Sequence, residues 1–195
     1  TKCTSAPYDQ HYYENNYHNK KGFKEIIDNF KKEKEYYKDS LIVKHHKNKY
    51  SGKMPLWVVV ELMSFSNISK LYGSMYISEQ DTIADAVGTG RKVLENHLHC
   101  LSVLRNKCAH AARMYDTEFN PPAKLSSGLL RKRPDIQNNS LFAYLLVLLK
   151  RLPDQNSKQL FLAALDATIE EYRDDIDLKC IGFPDDYQTL LKNSL

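Results

Sequence analysis

Apolar positions recur along this chain at helical spacing. Phe23, Ile26, Ile27, Phe30 and Tyr37 mark one face of a helix from about Gly22 to Ser40, and Leu41–Tyr50 continues or restarts it. Pro55 is suited to a first helical position and opens an apolar helix over Leu56–Phe65. Ser66 or Asn67 can cap the next, reaching about Met75. Asp81 can cap another, which Gly88 and Gly90 stop. A long helix follows from about Arg91 to Arg113. The segment from Asp116 to Asn139, with Pro121, Pro122 and Pro134, reads as an exposed excursion. Ser140 caps a helix that Pro153 ends, Ser157 starts another to about Asp174, and a short helix lies near Asp185–Lys192. No run alternates in the way a half-buried strand does, so the expected fold is an all-α helical bundle.

The 195 residues suffice for one domain or a domain with an appendage. Composition suggests a Tyr/Lys-rich helical segment over 1–53 and a bundle over 54–195, together one compact unit. The longest apolar run, Ser140–Leu149, is too short for the roughly 20 residues a membrane span needs. Four scattered cysteines without paired spacing suggest reduced thiols in a cytoplasmic protein. His97, His99 and Cys100 diverge on a helix, so neither metal nor cofactor is expected.

Net charge is +4 but uneven. Eleven lysines face five acids between Asn19 and Lys53, whereas nine acids face four bases from Asp154 onward. The early excess, with Lys44, His45, His46 and Lys47, and the group Lys124, Arg131, Lys132 and Arg133, suit a polyanion such as RNA; solvated helix faces give the same pattern. Tyr8, Tyr12, Tyr13 and Tyr17 can stack on unpaired bases or pack against a helix.

One segment carries chemistry. Arg105 falls within the stripe Leu94, Leu98, Leu101, Cys108 and Ala112, while Asn106, His110 and Arg113 follow one another at helical spacing on the adjacent face. Imidazole exchanges protons near neutral pH, and guanidinium matches phosphate oxygens in a fork. In RNA the neighbouring 2′-OH supplies the nucleophile, so the set suits metal-independent phosphodiester cleavage. The competing reading pairs Arg105 with Glu61, the lone acid of its apolar helix, as a structural ion pair.

The run Arg105-Asn106-Lys107-Cys108-Ala109-His110 resembles the R-x4-H motif of HEPN domains. Pro55–Phe65, Ile68–Tyr72, Cys108–His110 with Arg113, and Ile181–Pro184 together resemble the Abi-like family of abortive-infection proteins (AbiD/AbiF type). The resemblance implies an all-helical HEPN-like bundle with additional helices, although the further N-terminal helices usual in the family are missing here. It implies a homodimer, a toxin in antiviral defence, and endoribonuclease activity. Arg105 and His110 would be catalytic with Asn106 beside them, and Glu61 and Arg113 would support them. A structured noncoding RNA is a second expected partner. A non-catalytic RNA-binding module is the alternative.

Overall fold

A computed structural model describes residues 17–193. Among them the regular structure is helical: α1 Lys20–Tyr36, α2 Leu41–Tyr50, α3 Leu56–Leu62, α4 Phe65–Ser74, α5 Ile77–Ala86, α6 Arg91–Ala109, α7 Ser127–Lys132, α8 Leu141–Arg151, α9 Gln155–Glu171 and α10 Tyr187–Lys192. No helix among the described residues is long and apolar enough to cross a membrane. The described residues divide into two compact units, the first running to Glu95 and the second starting at Asn96. The compositional boundary at Lys53 falls inside the first, whose core joins Val43 to Met54.

In the first unit, Asn19 caps α1 by accepting from the Gly22 amide at 2.9 Å. Phe23, Ile26 and Phe30 form its buried stripe and pack with Val58, Val59, Leu62 and Leu71. The chain restarts at Ser40, whose hydroxyl accepts from Val43 N, so α2 is separate from α1. Pro55 is the N-cap of α3, just outside its first turn.

Two starts differ from the sequence reading. α3 stops at Leu62, and Ser64 rather than Ser66 or Asn67 caps α4. The reason is Glu33, which reaches across from α1. Its carboxylate accepts from Ser64 N and from the Asn67 amide nitrogen, both at 3.1 Å, and so consumes Asn67 as a buried strut. α5 starts at Ile77, four residues before Asp81, because Glu79 accepts from Tyr76 N at 3.3 Å. Asp81 lies inside α5 and pairs with Arg91 at 3.3 Å.

In the second unit, α8 is buried on nearly every side. Phe142, Leu146 and Leu149 join Leu162, Phe183, Tyr187 and Leu191, while Ala143, Tyr144 and Val147 join Cys100, Leu104, Phe119 and Ala123. Ser140 caps α8 as its position suggested. α9 is capped by Asp154, which accepts from Ser157 N at 2.8 Å, so the helix begins two residues before Ser157. Leu160 of α9 stands 63% exposed. Gly182 has φ +80°, and a Cβ there would lie 2.3 Å from Ser140 Cβ. The Ile181–Pro184 block thus serves packing: Gly182 allows the close approach, and Phe183 lodges against Phe142 and Tyr187.

The segment from Asp116 to Asn139 is no open excursion. It contains α7, buries Phe119, Ala123 and Ile136, and is sewn down by main-chain bonds from Phe119 N to Asn139 O and from Ala123 N to Asn138 O, both 2.7 Å. Asn96 clamps it twice, donating to Pro122 O at 2.9 Å and accepting from Lys124 N at 2.7 Å. One residue on, His97 donates through Nε2 to Lys124 O at 3.0 Å. Its prolines interrupt helix without preventing burial.

Burial pushes the His97 pKa down from 6.5 to about 4. The unfolded chain therefore takes up this proton near pH 6.5, whereas the folded chain resists it until about pH 4. Stability due to neutral His97 is present above pH 6.5 and is lost as pH falls through this window, by up to about 3 kcal/mol. Urea melts between pH 7 and 4 should show the decline. His97→Gln, which keeps a donor for Lys124 O without titrating, should flatten it; an unchanged slope would show that other groups govern the acid response.

Candidate functional site at the end of α6

The buried stripe of α6 is Leu94, His97, Cys100 and Leu104. It is rotated by about one residue from the stripe through Leu98, Leu101 and Cys108. Two polar-looking residues, His97 and Cys100, take core positions because the 121–124 segment offers them carbonyl partners. The rotation turns Arg105 and Cys108 outward, and both are exposed.

α6 ends at Ala109, four residues short of Arg113. Ala112 N bonds Lys107 O at 2.9 Å and Ala111 N bonds Cys108 O at 3.2 Å, the pair of contacts that closes a Schellman ending. Ala111 supplies the left-handed residue with φ +46°. His110 is therefore the C-cap, its amide still bonded to Asn106 O at 3.1 Å. Asn106 and His110 remain one turn apart on the same stripe. Arg105 starts about 100° away around the helix, but its Nη1 donates to Asn106 Oδ1 at 3.1 Å, which leans the guanidinium toward that stripe. A fork, an amide and an exposed imidazole thus stand together where the helix gives out.

Arg113 does not share this face. Past the left-handed residue the chain turns away, and Arg113 donates through Nε to Tyr115 O at 2.9 Å and approaches Asp116 at 3.5 Å. Beyond it, the Tyr115 hydroxyl accepts from Asp177 N at 3.2 Å, and Asp116 N donates to Cys180 O at 2.9 Å. The Cys180 thiol donates to Asp177 at 3.3 Å, and this carboxylate with partial desolvation pushes the thiol pKa up to about 11. Cys180 therefore stays protonated at neutral pH and is a poor nucleophile.

Glu61, expected to orient Arg105, is exposed on α3 in the first unit; the partner that Arg105 has is Asn106. Of the basic residues in the first unit, Lys44 pairs with Asp39 at 3.0 Å and His46 is buried, donating through Nδ1 to Ile42 O at 2.8 Å, while His45 and Lys47 are exposed. In the second unit Lys124, Arg131 and Lys132 are exposed. Arg133 is committed: its three nitrogens donate to both Asp135 and Asp186 at 2.6–2.9 Å, and these carboxylates hold its pKa well above the usual value. It ties α7 to α10 instead of facing solvent as a free fork. Tyr17 is buried and stacked on Phe23, with ring centres 3.9 Å apart, which is the packing alternative. Tyr8, Tyr12 and Tyr13 lie outside the described residues. Among the described residues no three His, Cys, Asp or Glu gather as a metal site.

Residues 3–116 match the model of the family described as Abi-like protein. The chain belongs to the Abi-like family. The match covers more than half of it and includes Glu61, the whole of α6 and Arg105, Asn106 and His110. Lys124–Arg133 and the Ile181–Pro184 block of this Abi-like chain lie beyond the matched residues. No curated protein and no solved structure matches it.

An alanine in the left-handed region is strained by about 1 kcal/mol relative to glycine. Ala111→Gly should accordingly raise the stability of the Abi-like chain by up to about 1 kcal/mol in urea melts. A destabilised variant would mean that α6 does not end in this way.

Proposed function

We propose that this Abi-like protein is a HEPN-type endoribonuclease toxin of an abortive-infection system, acting in the cytoplasm as a homodimer and without a metal. The observation that carries this reading is the Arg105–Asn106–His110 set at the end of α6, with Arg105 and His110 exposed and Asn106 half-buried, inside the family match. Phosphodiester cleavage by the internal 2′-OH needs three things: removal of the 2′ proton, stabilisation of charge on the phosphorane, and a proton for the departing 5′ oxygen. The Arg105 fork suits the phosphorane oxygens, with Asn106 Oδ1 fixing its orientation. One imidazole accepts the 2′ proton as the P–O2′ bond forms. A second, from the other protomer, donates to O5′ as the P–O5′ bond breaks. The products are a 2′,3′-cyclic phosphate and a 5′-hydroxyl. Two protomers provide both imidazoles, which one His110 per chain cannot do in a single step. Lys47, Lys124, Arg131 and Lys132 supply exposed positive charge for the RNA backbone. A structured noncoding RNA is the regulator in this reading.

The test is cleavage of single-stranded RNA by the purified chain in EDTA, with analysis of product ends. His110→Ala and Arg105→Ala should each lower the rate at least about a hundredfold. Both positions are exposed, so circular dichroism and the oligomeric state should stay unchanged. Undiminished cleavage in either variant contradicts the assignment. RNA binding without any cyclic-phosphate product would make the protein a non-catalytic RNA-binding module.

A further inference from the structure

The start and end of α2 and the start of α3 enclose a groove of about 940 Å³, lined by Leu41, Ile42, His45, Tyr50, Pro55 and Trp57 among others. Its apolar walls are unusually open: Leu41 is 88%, Tyr50 54% and Trp57 45% exposed. A soluble chain seldom leaves so much contiguous apolar and aromatic surface uncovered without a partner for it. The floor is fixed. Ser51 and Gly52 turn the chain with φ of +53° and +78°, and Lys34 Nζ donates to Gly52 O at 2.9 Å. The tilted rings of His45 and Tyr50 brace each other at 5.6 Å.

The charge around the groove selects the occupant. α2 carries Lys44, Lys47 and Lys49 and no acid, Lys53 lines the groove itself, and the nearby Asp39 is engaged by Lys44 at 3.0 Å. An apolar protein helix would leave these cations unused. Unpaired nucleotides use both features, with bases stacking on Trp57 and Tyr50 and phosphates meeting the lysines. The volume accommodates more than one base. We infer that this groove is a binding site for single-stranded RNA, holding unpaired bases against Trp57 and Tyr50. The inference rests on the RNA-directed reading of the protein but not on its catalysis.

Trp57 is the sole tryptophan of the chain, so its fluorescence reports on the groove alone. An unstructured, uridine-rich RNA of roughly twelve nucleotides, long enough for such a site, is titrated into the full chain carrying His110→Ala, which keeps the RNA intact. Expected results are quenching of Trp57 emission and an affinity, read by anisotropy of labelled RNA, that falls about tenfold or more with Trp57→Ala. Trp57→Phe, which keeps a ring, should bind nearly as the parent does. Absence of quenching, or Trp57→Ala affinity within twofold of the parent, overturns the proposal. So does Trp57 emission that follows protein concentration without RNA, which would assign the groove to a second copy of the chain. Quenching without cleavage by the unsubstituted protein would defeat the nuclease reading and leave the groove standing; cleavage without quenching would do the reverse.

Discussion

The way α6 ends decides what the second unit presents to solvent. Had the helix run on to Arg113, that residue would have joined Asn106 and His110 on one face. Instead Ala111 enters the left-handed region, and the two Schellman bonds close the helix on Lys107 and Cys108. His110 is left at the rim as the last capped residue, above Asn106 and its bound Arg105. The chain leaves in a new direction, held through Tyr115 to Asp177 and through Asp116 to Cys180. It then returns to be clamped by Asn96 and His97 of the same helix. The strain at Ala111 is sustained by that tertiary anchoring.

A second regularity runs through both units. The helices are short and the corners between them many, so numerous main-chain groups fall outside helical ladders. Buried and half-buried polar side chains satisfy many of them. Glu33 and Asn67 hold the α3–α4 corner, and Gln80 donates to Gly73 O and Met75 O at the next. Asn96 and His97 hold the 122–124 segment. These residues look like surface polar positions in the sequence, yet each acts as a strut; removing a buried one, Asn67, Gln80 or His97, leaves unpaired groups at about 1–3 kcal/mol each.

Where local signals and tertiary demands agree, the sequence is readable. α1 and α8 announce themselves by apolar spacing, and the Ser40 and Ser140 caps stand where hydroxyls precede apolar runs. The starts of α4 and α5 are ambiguous in the sequence because several residues there can cap, and the choice is made by distant Glu33 or by Glu79 within the first turn. The end of α6 carries no glycine to mark it. The phase of its buried stripe was hidden because His97 and Cys100 are core residues only in the presence of the 121–124 carbonyls. Residue type and family resemblance single out Arg105 and His110 as candidates, whereas the Arg105–Asn106 contact, the withdrawal of Arg113 and the commitment of Arg133 to Asp135 and Asp186 are tertiary features that no local pattern marks.

The proposed nuclease reading rests on the Arg105–Asn106–His110 set at the end of α6, which lies inside the Abi-like family match. The most direct measurement of that claim is the map of contacts itself. RNA carrying 4-thiouridine is photo-crosslinked to the purified protein and the attached peptides are identified by mass spectrometry. The account predicts crosslinks within residues 105–115. A crosslinked complex in which that stretch remains wholly unmodified would contradict it.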